Sequence, residues 1–207
     1  MEERIEATQD GRRLVIRKAR PEDAEALIEA VNVIAGETDF LSFGAGQFWL
    51  TVDEERKLIE RHLESDNHLF LVAWIDDAIV GVTLFMGGSR ERIRHCGDVG
   101  LNVARPFWNQ GVGSRLLDAL IDWARRSPVV TRLDLQVRTD NTWAIHLYRK
   151  KGFRIEGTLS DQFVVEGRHY DHHCMGLDVR TPGDLNDAGP CPSSKPIRAS
   201  RRRERRD

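Results

Sequence analysis

The chain has 207 residues, of which 40% are hydrophobic and 31% charged, with a formal net charge of −2, enough for one domain with a substantial core. It lacks both the apolar run of roughly 20 residues that a transmembrane helix needs and the basic-then-apolar start of a secretion signal. These properties exclude an integral membrane protein, and they predict a cytoplasmic protein with no membrane partner.

Hydrophobic periodicity and turn residues predict seven strands and four helices. Thr51 and Glu54 have capping-box spacing, Asp140 or Asn141 caps the fourth helix, and Gly152 ends it. In chain order the prediction is a strand at 14–19, helices at 21–36 and 51–64, strands at 68–75, 78–85 and 95–103, a helix from 112 through 124, a strand at 132–138, a helix at 143–151 and strands at 153–157 and 170–179.

The predicted loop 37–46 mixes apolar and acidic residues, which suits either a substrate lid or packing against the core. After it, the two runs 68–75 and 78–85 form a hairpin around Asp76-Asp77. Both runs are too apolar to be solvated on two faces, so we expect them to be central strands.

The strand at 95–103 leads into a turn that is opened by Pro106 and contains Gly111 and Gly113. Glycine has no Cβ to block a close ligand, and the first N–H groups of a helix lack intrahelical partners. A diphosphate could accept those hydrogen bonds at the positive end of the helix dipole. Alone, however, a Gly-x-Gly sequence more often marks a plain helix start.

Two familiar nucleotide-binding motifs do not fit this turn. A phosphate-binding loop requires Gly-Lys-Ser/Thr, whereas Gly113 is followed by Ser114-Arg115. A dinucleotide fingerprint requires a small residue at the position of Leu116.

Residues 181–207 differ in character from the rest, with seven Lys or Arg and four Asp or Glu, a balance of +3. Such a segment is predicted to be a disordered basic tail, and its lack of aromatic residues argues against a nucleic-acid partner. The predicted organisation is an N-terminal extension at 1–12, one domain at 13–180 and the tail at 181–207.

The order of elements over 13–180, with three motifs, resembles the GNAT superfamily of N-acetyltransferases. The segment 110–113, preceded by 101–103, is similar to the family's acetyl-CoA motif, and 141–153 is similar to its second motif. The closing segment 167–177 resembles a bacterial branch that includes ribosomal-protein and small-molecule acetyltransferases.

The resemblance implies an α/β (α+β) fold with a central mixed, mostly antiparallel seven-stranded sheet, splayed between strands 4 and 5 and flanked by about four helices. It implies an enzyme that transfers an acetyl group from acetyl-CoA to a primary amine of a small molecule or protein N-terminus. The amine would attack directly in a ternary complex, without a metal, and a homodimer is possible. The alternative is a non-catalytic acyl-CoA-binding sensor.

The resemblance also implies site residues. Tyr148 would be the general acid that protonates the leaving thiolate, although its helical position equally suits core packing, and Arg105 or Arg115 could add positive charge. Asn141 would cap its helix, contact the pantetheine arm, or do both. The predicted cofactor-binding residues are Leu101, Asn102 and Val103 for the pantetheine, Asn109, Gln110, Gly111, Val112, Gly113 and Ser114 for the diphosphate, and Asn141.

The chain departs from the family pattern at two positions. Trp108 stands where many members have Gln or Arg, and Gln136 stands where N-terminal acetyltransferases often carry a glutamate base. Because glutamine is not a base, no residue is assigned as the general base. The residues that line the acceptor pocket are not assigned either. The candidate bases are Asp98, Asp134, Glu37, Asp39, His172 and His173, and the candidate pocket aromatics are Phe40, Phe43, Phe48 and Trp49.

Overall fold

The computed structural model describes residues 2–180, so the predicted tail at 181–207 lies outside the described residues. Residues 2–180 form eight strands and four α-helices, and none of these helices is long and apolar enough to cross a membrane. The strands are β1 (Arg4–Ala7), β2 (Arg13–Lys18), β3 (His68–Ile75), β4 (Ala78–Gly87), β5 (Gly97–Val103), β6 (Arg132–Arg138), β7 (Arg154–Val165) and β8 (Arg168–Asp178). The helices are α1 (Ala24–Glu37), α2 (Val52–Glu64), α3 (Val112–Arg126) and α4 (Thr142–Lys150).

The strands form one sheet in the order β1-β2-β3-β4-β5-β6-β8-β7. Neighbours are antiparallel except β5 and β6, which are parallel. The predicted mixed, mostly antiparallel sheet with four helices is therefore confirmed, whereas its predicted strand number is wrong, since the sheet has eight strands. The additional strand is β1, whose four residues are too few to give a periodic signal and gain their order by pairing with β2.

The sheet carries one apolar core on each face. On one face, α3 and α4 pack through residues such as Leu116, Leu120 and Ile145 against Leu133 and Leu135 of β6. On the other face, α1 and α2 pack through residues that include Leu27, Val31 and Ile59 on Phe70 and Val72 of β3. Strands β3 and β4 are thus covered on both sides, as their apolar sequences predict.

The last two strands form a long hairpin whose first strand is at the sheet edge. Its turn falls at Glu166 and Gly167, and both residues have positive φ, of 50° and 77°. The predicted strand at 153–157 is too short, because β7 continues to Val165. The continuation is mostly exposed and interrupted by register shifts, so it lacks the alternation by which a half-buried strand is recognised.

The start of α2 is confirmed as a capping box. The Glu54 N–H donates to the Thr51 hydroxyl, while the Thr51 N–H donates to the Glu54 carboxylate at 2.8 Å. The next residue, Glu55, is 1% exposed, and its Oε2 has no hydrogen-bond partner among the described residues. Burial raises the pKa of Glu55 to about 7.

Replacement of Glu55 should change how stability depends on pH. Between the ordinary pKa of 4.5 and about 7, the folded state holds a proton that the unfolded state has lost, so stability falls as pH rises. The Glu55→Gln variant cannot ionise there. Relative to wild type it should gain up to about 3 kcal/mol in unfolding free energy between pH 4.5 and 7.5, at about 1.4 kcal/mol for each pKa unit.

Urea denaturation of both proteins across this pH range measures the difference. Glu60→Gln, at an exposed position on the same helix, is the matched control and should follow the wild-type curve. Parallel curves for wild type and Glu55→Gln would contradict the prediction.

Candidate active site

The sheet opens between β5 and β6, the fourth and fifth predicted strands. Their register contains one pair, Asp98 with Asp134, and just before it the His95 carbonyl accepts the N–H groups of Thr131 and Arg132. Beyond Asp98, β5 runs on to Val103 without a paired position on β6. The gap is therefore closed at the start of β5 and open at its end, as the predicted splay requires.

The main chain of β5 faces this gap at alternate residues. The Ala104 N–H donates to the Val80 carbonyl at 2.9 Å, so in the antiparallel pair with β4 it is Asn102 that exchanges hydrogen bonds with β4. Leu101 and Val103 consequently point their N–H and C=O groups toward the gap. Of the three residues predicted to pair with the pantetheine, Leu101 and Val103 thus offer main-chain groups, whereas the main chain of Asn102 is paired with β4.

Trp108 forms a hydrogen bond with one of these main-chain groups. Its indole Nε1–H donates to the Val103 carbonyl at 2.7 Å, although the residue is 43% exposed. A ligand amide that bonds to the same carbonyl has to share or replace the indole.

The chain turns from β5 into α3 through left-handed backbone. A 3₁₀ turn at Arg105–Phe107 comes first, and then Asn109 and Gly111 have φ of 58° and 84°. Gly111 is the N-cap of α3 and, having no side chain, leaves the helix start without a side-chain cap. Glycine accommodates this φ without steric cost.

The first turn of α3 presents unpaired N–H groups. Its first helical hydrogen bond runs from the Arg115 N–H to the Gly111 carbonyl at 3.1 Å, so the N–H groups of Val112, Gly113 and Ser114 have no intrahelical acceptor. They lie at the positive end of the helix dipole, which favours an anion. The Gln110 N–H differs, since it donates to the Phe107 carbonyl at 3.4 Å.

The N-terminal segment packs against this turn. Glu6 on β1 binds the Arg115 Nε at 2.8 Å, and the Gln9 N–H donates to the Gln110 carbonyl at 3.2 Å. The Arg115 guanidinium lies over Gly111, where an added Cβ would stand 2.0 Å from Nη1. Of the two arginines predicted to add charge, Arg115 is therefore at the turn itself.

Side chains of β5, α3 and α4 meet on one side of the gap. A Cβ added to Gly113 would lie 3.5 Å from Leu147 and from Val103, and 3.6 Å from Leu101. Asn141 caps α4, its Oδ1 accepting the Ala144 N–H at 3.2 Å. The capping interpretation of Asn141 is thus confirmed, and its contact with a pantetheine arm stays a prediction.

Tyr148 lies in the core, next in sequence to Leu147. It is 7% exposed and its ring contacts Phe153 edge-on at 5.7 Å between centroids. Burial raises the pKa of Tyr148 to about 12, which keeps the phenol protonated at neutral pH. The packing role is evident in these contacts, and the proton-donor role stays a prediction.

Arg138, which the sequence patterns do not single out, organises the opposite face of the sheet. Its side chain is 3% exposed and binds Asp140 at 2.7 Å, the Asp39 carbonyl at 2.8 Å and the Asp39 carboxylate at 3.2 Å. The rings of Phe40 and Tyr170 lie 4.6 and 3.8 Å from its guanidinium carbon. The loop that follows α1, predicted either to be a lid or to pack against the core, is therefore bound to β6 through Arg138.

The other loop aromatics do not converge with Phe40. Phe43 and Phe48 contact each other at 5.4 Å between centroids and pack against the α1–α2 core, while Trp49 is 82% exposed. These four candidate aromatics therefore do not meet at one place in the structure, and Phe40 lies against Arg138.

The structure separates the candidate bases by their partners. Glu37 accepts the Arg105 N–H at 2.7 Å, and Asp134 binds Arg132 at 2.7 Å. Partial burial, and then the nearby Asp134 carboxylate, raise the pKa of Asp98. Within residues 2–180, no three His, Cys, Asp or Glu side chains are grouped so that they could hold a metal ion.

The two candidate histidines on β8 lie on opposite sheet faces. His172 pairs with Arg138 and its Nδ1 is 3.5 Å from the Gln136 Oε1. His173 faces the other way, with its Nδ1 2.9 Å from the Thr158 hydroxyl. Only His172 thus shares the sheet face of Gln136 and Arg138.

Comparison with known proteins identifies the family. The family model described as "Acetyltransferase (GNAT) family" matches residues 37–153, more than half of the chain. The match includes the glycine turn, the open gap and the helix that carries Tyr148. The chain belongs to the GNAT family and is an acetyl-CoA-dependent N-acetyltransferase.

Individual relatives agree with this assignment. Over 105 residues the chain is 36% identical to the L-amino acid N-acetyltransferase AaaT of Escherichia coli (strain K12), covering 51% of this chain and 65% of that protein. A GNAT-family acetyltransferase from Streptococcus pneumoniae superposes with a TM-score of 0.78 at 37% identity, over 80% of this chain and 98% of that one. YncA from Salmonella typhimurium, solved with its cofactor acetyl-CoA, shares the fold with a TM-score of 0.71 at 23% identity, over 80% and 94% of the two chains.

Substitution of Gly113 tests whether the start of α3 holds the cofactor. A Cβ at this position makes contacts of ordinary length, so Gly113→Ala should bind acetyl-CoA within a few-fold of wild type. The indole of Gly113→Trp should cover the unpaired N–H groups and abolish binding in calorimetry, while circular dichroism shows the fold retained. Wild-type affinity in the folded Gly113→Trp variant would remove the turn from the binding site.

Proposed function

We propose that this protein transfers the acetyl group of acetyl-CoA to a primary amine of a small molecule or of a protein N-terminus. The amine attacks the thioester directly while both substrates are bound. The observation that carries this proposal is the opening of the sheet beyond Asp98 and Asp134. Along one edge of the opening lie main-chain groups that no neighbouring strand pairs, and at its end lie helix N–H groups without an intrahelical acceptor.

The proposed cofactor site combines two kinds of main-chain contact. The gap-facing groups of Leu101 and Val103 stand where a neighbouring strand would pair, so pantetheine amides fit them. The helix start fits the diphosphate because its amides and dipole complement negative charge. The full proposed set is Leu101, Asn102, Val103, Asn109, Gln110, Gly111, Val112, Gly113, Ser114 and Asn141.

Tyr148 is the proposed general acid. As the new carbon–nitrogen bond forms and the carbon–sulfur bond breaks, the phenol gives its proton to the departing thiolate and regains one from solvent. Its neighbour Leu147 lies next to Gly113 at the start of α3. The raised pKa of Tyr148 keeps the phenol protonated until the thiolate forms.

Release of free thiol from acetyl-CoA tests the function. We expect thiol release that depends on an added amine, with one mole of acetylated amine for each mole of thiol. The amine panel comprises L-amino acids, polyamines, aminoglycosides and ribosomal N-terminal peptides, since an L-amino acid acetyltransferase is among the relatives. Tight acetyl-CoA binding with no thiol release across the panel would favour the non-catalytic sensor instead.

Replacement of Tyr148 tests the proton donor. Tyr148→Phe keeps the ring against Phe153 but removes the hydroxyl, so kcat should fall about 100-fold or more with acetyl-CoA affinity unchanged. The chain's one other tyrosine, Tyr170, gives the matched control, and Tyr170→Phe should retain turnover. An unchanged kcat in Tyr148→Phe would leave the residue with core packing alone.

A further inference from the structure

The proposed reaction requires a group that accepts a proton from the attacking nitrogen. Near the gap, most carboxylates are already engaged. Asp39 and Asp134 each bind an arginine, and Glu37 accepts a main-chain N–H. These three carboxylates are thus already held by partners within the protein.

His172 is the candidate base that shares a sheet face with Gln136 and Arg138 of β6. Its cross-strand partner is Arg138 and its Nδ1 is 3.5 Å from the Gln136 Oε1. Because Asp98 is level with Asp134 in the parallel register, Gln136 and Arg138 are level with Gly100 and Asn102. The imidazole therefore lies on β8, one strand away from the gap, at the level where β5 and β6 are no longer paired.

The surroundings of His172 favour its neutral form. Partial burial, and then the positive charge of Arg138, lower the pKa of His172, while Asp140 opposes this shift. Two other charged groups belong to this cluster. Asp39 is bound to Arg138, and the Arg168 guanidinium lies 5.0 Å from the centroid of the Tyr170 ring. From β7, the ring of Phe163 packs on His172 at 5.4 Å between centroids. A neutral imidazole keeps one nitrogen lone pair that can accept a proton.

We propose that His172 is the proton acceptor for the attacking amine, acting directly or through one water molecule. The inference rests on the proposed acetyl transfer and assigns the base for it. Tyr148 belongs to the core on the α3 side of the sheet and His172 to the α1 side. The proton donor and the proton acceptor thus approach the gap from opposite faces.

The proton balance of the step is complete. The neutral amine forms the bond to the acetyl carbon, and the positive nitrogen passes one proton to His172. The carbon–sulfur bond breaks with its electron pair on sulfur, which takes the Tyr148 proton. The imidazolium then loses its proton to solvent while the phenolate regains one, so the products are the amide and free CoA thiol.

The pH dependence of kcat/KM tests this role, with the most active amine of the thiol-release panel as acceptor. In wild type, log kcat/KM should fall at low pH with a slope of two, because both the amine and His172 must be deprotonated. In His172→Gln it should fall with a slope of one, and kcat/KM at neutral pH should drop about 100-fold without loss of acetyl-CoA affinity. His173→Gln, which alters the opposite face, is the matched control and should keep the wild-type profile.

A second substitution distinguishes a catalytic from a structural loss. In His172→Gln, the added change Gln136→Glu places a carboxylate beside the missing imidazole and should restore about tenfold of the lost kcat/KM. If the slope of log kcat/KM against pH is one in Asp98→Asn and stays two in His172→Gln, the base is Asp98 and the proposal is overturned. If Gln136→Glu restores no activity and the slope in His172→Gln is unchanged, His172 has a packing role only. Absence of thiol release by wild type would overturn the proposed function itself, whereas an active wild type with an equally active His172→Gln overturns the base alone.

Discussion

The early end of pairing between β5 and β6 is the constraint on which the site depends. Parallel neighbours must be joined by a crossover, here α3, so the helix starts where β5 ends. The same connection that completes the sheet therefore brings the positive end of a helix dipole to the mouth of the gap. Had the two strands paired along their full length, the main-chain groups of Leu101 and Val103 would be satisfied within the protein.

The two faces of the sheet differ in what they supply. Leu133, Leu135 and Val137 of β6 point into the core under α3 and α4, where Tyr148 is also buried. The alternate residues carry the polar groups, among them Gln136 and Arg138. Arg138 is almost fully enclosed and held by two carboxylates and two aromatic rings, so it fixes the loop after α1 instead of meeting a substrate. The alternation of side chains along β6 thus places its apolar residues in the core on one face and its polar residues on the other face.

Much of this architecture follows from local sequence signals. The capping box at Thr51, the cap at Asn141 and the turn at Gly167 each depend on a few adjacent residues, and the structure has all three. The features that the sequence does not reveal depend on tertiary contacts. Strand β1 is ordered by its partner, and the burial of Arg138 depends on a loop 99 residues away. That His172, and not its neighbour His173, shares a face with Gln136 follows from the register of β6 and β8, which no local pattern specifies.

The hydrogen bond from Trp108 to Val103 changes how affinity for the cofactor is distributed along its length. A pantetheine amide that bonds to this carbonyl exchanges one protein hydrogen bond for another, and such an exchange yields little net free energy. The helix start has unsatisfied donors and no such competitor among its described side chains. In the proposed site, recognition is therefore weighted toward the nucleotide end of CoA, and we expect short thioesters that lack the diphosphate to bind weakly.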